Sequence, residues 1–423
     1  MLKVGGYKDK DILIWVDDGS KVEDTCYQEA RGLSRLPFID SHVALMADCH
    51  ASGFGMPIGG VIATKDVIIP EAVSNDIGCG VAFKQTDIPV DVLNIETGSG
   101  TLGQMLVGSI MRDLPTGFQH QDPENNKGDK ELENIIEEYL SETIPHIGGI
   151  LKFKPEGMRE IVEEAYEIVG TLGGGNHFLE FQKNENDKIG IMIHTGSRSV
   201  GAKIHKYFNT LAKELNEKWY VDVISDDIVM PFLPVDSKEG QQYLKWMRFA
   251  LEIAEINRKK IMELAESKFK ELLDKYTEYE DYEVTIDINV HHNYADIENV
   301  DGENYWIHRK GAVRAREKDI VPIPGAMGSY SYICKGKQNP LSYHSCSHGA
   351  GRLMTRTSAL EKYSTQETME DLKDKDVILG KKDKSKVADE YYKAYKDIEE
   401  VIDNQKDLIQ PISKLETVLV IKG

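Results

Sequence analysis

Short apolar runs, separated by polar turns rich in glycine, dominate the first ninety residues of the chain. Apolar runs of about four to eight residues bounded by such turns predict buried β-strands. The runs that fit this description are residues 11–16, 43–47, 61–64, 67–70 and 80–83. Residues 22–35 have the spacing of a helix instead. We therefore predict that the front of the chain is mostly β-sheet with one helix.

Amphipathic segments occupy the middle of the chain, after a polar loop at residues 115–130. The elements predicted there are acidic helices at 131–143 and 156–169, a strand at 189–193 and a helix at 201–218. Helical spacing is strongest at residues 238–275, where apolar positions recur three or four residues apart. This is the pattern of a helix packed along one face, so we predict that this long segment is scaffold.

The last third of the chain begins with strands and ends in a charged region. A strand is predicted at residues 285–290, and a β-rich section continues to Cys334. The last ninety residues are predicted to be mostly helical, with a final strand at 418–421. No internal repeat, low-complexity block or Pro/Gly/Ser linker divides the sequence. We therefore predict one mixed α/β (α+β) domain over residues 1–423, with helical insertions around a β core.

Composition narrows the class of protein. No stretch of 18 uninterrupted apolar residues occurs, and no apolar signal segment follows Met1, so we expect neither a membrane span nor secretion. The five cysteines are scattered and odd in number. That usage suits a reducing compartment rather than a disulfide framework, and we expect a cytoplasmic protein.

Net charge argues against non-specific binding to nucleic acid. The chain carries a formal charge of -20, whereas coating a polyanion requires many cations to neutralise phosphates. The charge is uneven, however, because residues 309–356 contain nine Lys or Arg against two acids, a local balance of +7. One basic strip on an acidic body can steer a polyanion to a single cleft.

Side chains that can bind a metal recur beside glycines at the tips of predicted strands. They are Asp48-Cys49-His50, Asp76 with Cys79, Asn176-His177, His194 and His291-His292-Asn293. Asp76 and Cys79 lie three residues apart in one turn and can share an ion, and His177, His194 and His292 are the natural further ligands. This mixed set suits Zn²⁺ or a divalent ion such as Mn²⁺, Fe²⁺ or Co²⁺. A thiolate can also bridge two metals, so the same residues could hold two metal ions.

A reactive histidine is predicted in the segment Ser-Cys-Ser-His-Gly-Ala-Gly-Arg-Leu-Met-Thr-Arg at residues 345–356. Small neighbours leave room for a ligand to reach the His348 imidazole, and glycines allow close backbone approach. Arg352 and Arg356 would share a face if the segment were helical. Guanidinium groups beside an imidazole suit phosphoryl or nucleotidyl transfer to histidine.

Further polar and basic residues could bind a triphosphate next to this centre. Asn176 and Asn293 each stand beside a proposed ligand, and Arg198 follows His194 by four residues. Lys310 belongs to a basic segment, and Lys422 follows the final apolar strand. Together these groups could hold the phosphates in line with the attacking atom.

Nine motifs, in a fixed order over nearly the whole length, carry a resemblance to a known family. They are DCHASGFGMPIGG (48–60), NDIGCGV (75–81), GGGNHFLE (173–180), HTGSRSVG (194–201), HHNYA (291–295), HRKGA (308–312), PGAMGS (324–329), SHGAGR (347–352) and VIKG (420–423). With these motifs the chain resembles the RtcB family of RNA ligases. The resemblance implies an RtcB-like fold, in which central β-sheets form a metal-lined cleft surrounded by helical insertions.

The resemblance also implies a role for individual residues. His348 would attack the α-phosphate of GTP and carry GMP as a phosphoramidate. Two Mn²⁺ ions, bridged by Cys79, would be held by Asp76, Cys79, His177, His194 and His292. Phosphate contacts would come from Asn176, Arg198, Asn293, Lys310 and Arg352, and the guanine pocket would be formed by Glu180, Ser331, Tyr395 and Lys422.

The implied reaction joins RNA with a 3′-phosphate or 2′,3′-cyclic phosphate end to RNA with a 5′-hydroxyl end. GMP would pass from the histidine to the RNA 3′-phosphate before the 5′-hydroxyl attacks. An archease-type activator is a partner of some relatives. Two other functions stay open at this point: a binuclear metal-dependent phosphohydrolase acting on nucleotide or RNA ends, and a non-catalytic RNA-binding module.

Overall fold

The computed structural model describes most of the chain. The described residues are 1–6, 9–53, 55–140, 143–146, 149–152, 157–221, 224–225, 228–279 and 281–423. Four residues within predicted segments lie outside the described part, namely Phe54, Ser141, Glu142 and Glu156.

Helices form at the predicted segments, and a further helix at Leu102–Asp113 lies where no helix was predicted. Ten α-helices occur within the described residues: α1 (Asp24–Ser34), α2 (Leu102–Asp113), α3 (Lys130–Leu140), α4 (Met158–Glu163), α5 (Ala165–Ile168), α6 (Arg198–Lys218), α7 (Lys238–Tyr276), α8 (Arg356–Lys362), α9 (Thr365–Asp374) and α10 (Ile398–Asn404). α7 is 39 residues long, and the side chain of Ser237, the residue before it, caps the first turn by accepting from the Gly240 amide. No helix of the described chain has the length and apolarity that crossing a membrane requires.

Strands alternate with these helices along the chain. In the first half they are β1 (Leu2–Val4), β2 (Asp11–Ile14), β3 (His42–His50), β4 (Ile58–Thr64), β5 (Val67–Ile68), β6 (Gly80–Pro89), β7 (Glu96–Thr97), β8 (Gly100–Thr101), β9 (Thr143–His146), β10 (Gly149–Lys152), β11 (Phe178–Lys183) and β12 (Lys188–Thr195). In the second half they are β13 (Ile224–Ser225), β14 (Ile228–Val229), β15 (Leu233–Pro234), β16 (Val284–His291), β17 (Asn293–Val300), β18 (Glu303–Lys310), β19 (Ala312–Arg314), β20 (Ile320–Ile323), β21 (Tyr330–Gly336), β22 (Ser345–Ser347), β23 (Ile378–Gly380) and β24 (Ile409–Lys422).

Two large sheets organise the fold, which is mixed α/β as predicted. The six-stranded sheet has the order β1-β2-β3-β4-β18-β17, and the larger sheet has the order β16-β6-β12-β11-β24-β21-β20, with β23 added beside β24. The pairs β2/β3 and β23/β24 are parallel. The other neighbours within both sheets run antiparallel.

The two sheets meet at His292, which separates β16 of the larger sheet from β17 of the six-stranded sheet. Next to it, His291 pairs with Gly80 at the start of β6. His194, near the end of β12, pairs with Val81 on one side and with Phe178 on the other. Because neighbouring strands are antiparallel, starts and ends of strands alternate along one edge of the sheet. The candidate ligands are therefore gathered at this edge.

The candidate ligands do not all lie at the end of a strand, as the sequence pattern predicted. His194 and the 291–293 segment lie at strand ends, as predicted. Asp76 with Cys79, and Asn176 with His177, precede β6 and β11 instead, and Asp48 lies within β3. Either end of a strand can supply such a side chain, because an antiparallel sheet brings both kinds of end to the same edge.

Two predicted segments differ from the structure. The helix predicted at 156–169 is divided into α4 and α5 at Glu164. The last ninety residues contain three short helices, 3₁₀ turns and the 14-residue strand β24 rather than mostly helix. In the first half of β24 the apolar residues recur at every third position and most positions are exposed, so the alternation typical of a strand is missing, but pairing with β21 fixes it as a strand.

Candidate active site

Five predicted metal ligands converge at the edge of the larger sheet. They form two groups of three that share Cys79, one with His194 and His292 and the other with Asp76 and His177. Within each group the ligand atoms all lie within 4.8 Å of one another. All except Asp76, which is partly exposed, are buried. Residues from four separate segments thus offer sulfur, nitrogen and oxygen to one small volume.

The shared thiol lies at the centre of this cluster. The Sγ atom of Cys79 is 3.3 Å from Nε2 of His194 and 3.5 Å from Nε2 of His177. Nε2 of His194 lies 3.4 Å from Nε2 of His292, and Nε2 of His177 lies 3.2 Å from Oδ2 of Asp76. The cluster thus reaches from the Asp76 carboxylate to the His292 imidazole.

Hydrogen bonds outside the cluster orient two of the imidazoles. Nδ1 of His194 lies 3.2 Å from the Asn176 carbonyl, and Nδ1 of His177 lies 3.0 Å from the Leu172 carbonyl. Burial lowers the pKa of His194 well below its usual value, so the ring is neutral. With Nδ1 donating to a carbonyl, Nε2 of His194 carries a lone pair that faces the Cys79 sulfur and His292. Such second contacts are typical of metal-binding histidines.

The protonation of the cluster fits a bound cation. Burial lowers the pKa of His292 well below its usual value and raises the pKa of the Cys79 thiol. Burial opposes ionisation of Asp76, but its hydrogen bond with His177 lowers the pKa overall. Neutral imidazoles and a carboxylate are ready ligands, and a bound cation would deprotonate the thiol. The residues present therefore fit a divalent metal, and this cluster is a candidate metal centre.

His348 lies beside this centre, with its ring centroid 4.7 Å from that of His292 in an edge-to-face arrangement. Its Nδ1 atom is 2.6 Å from Oδ2 of Asp48, and the same oxygen accepts from the backbone amides of His348 and Gly349. Because Nδ1 donates to this carboxylate, the lone pair of the neutral ring is on Nε2. The side chain is 14% exposed and lines the cavity described below.

The sequence pattern suggested that Asp48 could bind a metal, whereas in the structure its carboxylate contacts His348. Among the described residues it belongs to neither group of potential metal ligands, and it is fully buried behind His348. Burial would raise the pKa of Asp48, but the neighbouring His348 lowers it overall. Gly351 has a φ of +74°, and a Cβ there would lie 2.1 Å from the Asp48 carbonyl. Glycine is therefore required for the chain to pack this closely behind Asp48.

A cavity of about 340 Å³ opens over both the metal cluster and His348. Twelve of the fifteen predicted site residues line it: Asp76, Cys79, Asn176, Glu180, His194, His292, Asn293, Lys310, His348, Arg352, Tyr395 and Lys422. The three predicted site residues that do not line it are His177, Arg198 and Ser331. His177 is nonetheless part of the cluster.

Arg198 and Ser331 lie behind the cavity wall. Arg198 donates through NH2 to the Gly117 carbonyl at 2.7 Å. Ser331 accepts from Gln182 at 3.1 Å, and Gln182 also donates to Oε2 of Glu180 at 2.6 Å. Ser331 therefore contacts Glu180 only through Gln182.

Asn293 and Lys310 are held by the protein on one side of the cavity. The Asn293 amide donates to the Asp76 carbonyl at 3.0 Å and accepts from the Gly311 amide at 2.8 Å. Both of its polar atoms thus fix backbone segments that bear site residues. Lys310 lies 3.6 Å from Oε1 of Glu71, and burial lowers its pKa.

Glu390 is a site residue that the sequence reasoning missed. Its carboxylate accepts from Arg352 and Arg356 at 3.1 Å, from Lys422 at 2.9 Å and from the Tyr395 hydroxyl at 2.6 Å. Arg352 precedes α8 and Arg356 begins it, so the two do not share a helix face but meet at this carboxylate. Glu390 lies in a charged stretch without a motif, so no local signal distinguishes it from surface acids.

The basic strip at residues 309–356 is not one continuous surface. Arg309 is fully buried and paired with Glu298, and Lys310 faces the cavity. Arg314 is paired with Asp319 at 2.9 Å. Lys310, Arg352 and Arg356 line the cavity, whereas Lys318, Lys335 and Lys337 are exposed and do not line it, so the strip is divided between the cavity and the outer surface.

Comparison with known proteins agrees with the motifs. A family model described as "tRNA-splicing ligase RtcB" matches residues 29–423. The chain is 34% identical to the "RNA-splicing ligase RtcB" of Escherichia coli K12 over 413 residues, 97% of each chain. It is 30% identical to the "tRNA-splicing ligase RtcB" of Nanoarchaeum equitans over 462 residues, 95% of this chain and 92% of the relative. The corresponding protein of Methanococcus maripaludis is also 30% identical, with the same coverage.

Proposed function

The chain belongs to the RtcB family, and from that premise we propose that it is a GTP- and Mn²⁺-dependent RNA ligase. It joins RNA ends bearing a 3′-phosphate or 2′,3′-cyclic phosphate to 5′-hydroxyl ends. The observation that carries the proposal is the imidazole of His348, fixed by Asp48 and edge-on to His292 in a shared cavity. A nucleophile next to a cation site is what nucleotidyl transfer to histidine requires.

The first step is transfer of GMP to His348. The Nε2 lone pair attacks the α-phosphorus of GTP, so an N–P bond forms while the bond to the β-phosphate oxygen breaks and pyrophosphate leaves. Asp48 keeps the proton on Nδ1 and stabilises the positive charge that the ring acquires. Two Mn²⁺ ions at the cluster would withdraw charge from the phosphate under attack. Lys310 and Arg352 line the same cavity and provide positive charge for the phosphates.

The second and third steps consume the histidine adduct. An oxygen of the RNA 3′-phosphate attacks the GMP phosphorus, and the N–P bond to His348 breaks. The RNA 5′-hydroxyl then attacks the activated 3′-phosphate, a phosphodiester forms, and GMP leaves. A 2′,3′-cyclic phosphate is first opened by water to a 3′-phosphate.

We expect Asp48→Asn to slow formation of the histidine adduct by about 10²- to 10⁴-fold. An asparagine can donate its amide proton to Nδ1, which moves the ring proton to Nε2 and removes the attacking lone pair. Single-turnover labelling with GTP measures the rate. Metal content should stay at the wild-type value, because Asp48 lies outside both ligand groups. An unchanged labelling rate would contradict the orienting role.

Guanine recognition is proposed for Glu180 and Lys422, which line the cavity beside Tyr395. A carboxylate can accept from the N1–H and the 2-amino group of guanine, and an ammonium can donate to O6. Burial raises the pKa of Glu180 to about 7. The ionised form, which guanine requires, is therefore populated only as the pH rises through this value.

Affinity for GTP is accordingly expected to rise by roughly tenfold between about pH 6 and about pH 8, as the ionised fraction of a group with a pKa of about 7 increases. Titration calorimetry at both pH values measures the change. A glutamine at position 180 does not titrate, so Glu180→Gln should bind GTP weakly and equally at the two values. Equal affinity of the wild-type protein at both values would contradict the role of Glu180.

The raised pKa of Glu180 has the opposite effect on stability: the free energy of unfolding falls as the pH rises, whereas the affinity for GTP increases. Because the folded-state pKa of Glu180 is raised from 4.5, its stabilising contribution is fully present below about pH 4.5 and is lost as the pH rises through about 7. Glu180→Gln removes this dependence. Its free energy of unfolding should therefore change less than that of the wild type over this range.

A ligation assay separates this function from the two alternatives. The full-length protein is incubated with Mn²⁺, GTP and two RNA strands, one ending in a 3′-phosphate and one beginning with a 5′-hydroxyl. A ligase joins them only when GTP is present. A phosphohydrolase releases inorganic phosphate without GTP, and an RNA-binding module leaves both strands unchanged. Either of the latter results would overturn the proposal.

Further features of the proposal follow from the family and the composition. The five cysteines are all free and buried, which supports a reducing, cytoplasmic location. We also propose that residues 1–423 form one domain and that an archease-type protein activates the enzyme. Adding such an activator to the ligation assay tests the second of these directly.

A further inference from the structure

A buried arginine of α7 lies directly beneath the candidate metal centre. Arg258 is 0% exposed, and no carboxylate of the described residues lies within ion-pair distance of it. A buried cation without a paired acid is rare, because removing a charge from water is costly. Arg309, the other fully buried arginine, is paired with Glu298 in the usual way. An ion pair therefore does not explain why the Arg258 guanidinium is buried here.

The guanidinium of Arg258 binds four groups on three separate segments. NH1 donates to the Gly78 carbonyl at 2.9 Å and to the Thr195 carbonyl at 3.0 Å. Nε donates to Oδ1 of Asn289 at 2.6 Å, and NH2 lies 3.1 Å from Nδ1 of His291. The three segments are far apart in sequence, and this one side chain joins them at the edge of the sheet where β6, β12 and β16 pair.

Three of these partners are next to a metal ligand in the chain. Gly78 precedes Cys79, Thr195 follows His194, and His291 precedes His292. These three ligands are the members of one of the two ligand groups. The two ligands outside that group, Asp76 and His177, have other anchors: Nδ1 of His177 lies against the Leu172 carbonyl. Among the described residues, Arg258 thus hydrogen-bonds to a chain neighbour of every member of this group, whereas it reaches the second group only through the shared Cys79 and through Thr195, whose hydroxyl lies 3.3 Å from Nδ1 of His177.

The backbone is shaped to fit the guanidinium. A Cβ on Gly80 would lie 3.0 Å from Cζ of Arg258 and 2.0 Å from the Val290 carbonyl. Only glycine lets the residue after Cys79 lie flat between the guanidinium and β16. The planar fork of arginine offers five donors in fixed directions, which the single ammonium of lysine cannot reproduce.

We propose that Arg258 is the positioning residue of the Cys79–His194–His292 metal site. The inference rests on the metal centre in the proposed function. One guanidinium holds the backbone beside each ligand at the spacing that a cation needs.

Cobalt binding tests this role without recourse to activity. The metal-free, full-length protein is titrated with Co²⁺, and the thiolate-to-cobalt absorption and the calorimetric affinity are recorded. We expect Arg258→Lys, which keeps the charge but loses the fork, to weaken Co²⁺ binding by about 10- to 100-fold. The thiolate absorption should also decrease at equal occupancy. Circular dichroism confirms that the variant is folded.

Arg309→Lys is the matched control, because Arg309 is equally buried but contacts Glu298, Ser345 and Tyr343 rather than a neighbour of a ligand. Its Co²⁺ affinity should equal that of the wild type even if its unfolding temperature falls. A loss of affinity in Arg309→Lys equal to that in Arg258→Lys would show a general effect of destabilisation and overturn the inference.

A second variant keeps the test decisive if Arg258→Lys does not fold. Asn289→Ala removes the acceptor of Nε from a half-buried position and leaves Arg258 in place. We expect it to weaken Co²⁺ binding in the same direction by a smaller factor. Unchanged affinity and absorption in the folded variants would overturn the inference alone, whereas a wild-type protein that binds no Co²⁺ would overturn the proposed metal centre.

Discussion

Replacing Cys79 by serine is expected to release the bound metal and, with it, nucleotidyl transfer. Cys79 is the member common to both ligand groups, so its loss leaves each group with two ligands. A serine hydroxyl is a poor ligand because it does not ionise near neutral pH as a metal-bound thiol does. We expect metal affinity to fall by at least roughly 100-fold. Elemental analysis after dialysis against a weak chelator measures the metal retained.

Cys334→Ser provides the matched control for this prediction. Cys334 is also free and fully buried, but it packs in an apolar cluster away from the ligands. This variant should retain the wild-type metal content and lose some thermal stability. If Cys79→Ser retained its metal as well, the shared role of the thiol would be wrong, and so would the binuclear interpretation of the two groups.

Replacing His348 by alanine is expected to abolish covalent labelling by GTP, a loss of roughly 10⁴-fold or more. Three other histidines line the cavity. The Nε2 atoms of His194 and His292 face each other within the cluster, and Nδ1 of His50 lies 3.0 Å from the Asp48 backbone carbonyl rather than from a carboxylate. His348 is the described histidine whose Nδ1 is held by a buried carboxylate and whose other nitrogen is left for the ligand. The measurement is incubation with α-labelled GTP and Mn²⁺, followed by a denaturing gel.

His344→Asn controls for the loss of a nearby buried imidazole. His344 lies four residues before His348, does not line the cavity, and has a φ of +53° that asparagine tolerates. This variant should be labelled like the wild type, and His348→Ala should keep its metal because His348 belongs to neither ligand group. Labelling of His348→Ala at the wild-type level would assign the nucleophile to another residue.

Local patterns in the sequence account for most of the scaffold. The apolar spacing at 238–275 predicts α7 nearly to the residue, because a long helix packed along one side must repeat that spacing. The members of the candidate metal cluster could also be proposed from the sequence, because Asp, Cys and His recur beside glycines near strand ends. The ligand groups contain all five of the predicted metal ligands.

Contacts between distant segments account for what the sequence did not reveal. Asp48 and His348 are 300 positions apart, and Glu390 meets Lys422 and Arg352 only through the fold. A carboxylate that orients an imidazole looks the same in sequence as one that binds a metal. Arg258 falls in a helix that the periodicity predicts as scaffold, because its partners on Gly78 and Thr195 are backbone carbonyls and leave no signature.

The most direct test of the account is to locate the covalent adduct. The full-length protein is incubated with Mn²⁺ and GTP, digested under alkaline conditions that preserve phosphoramidates, and analysed by mass spectrometry. The account predicts one GMP on the peptide that contains His348, removed by mild acid and transferred to RNA bearing a 3′-phosphate. GMP on a lysine, or no adduct in a protein that nevertheless joins RNA ends, would contradict it.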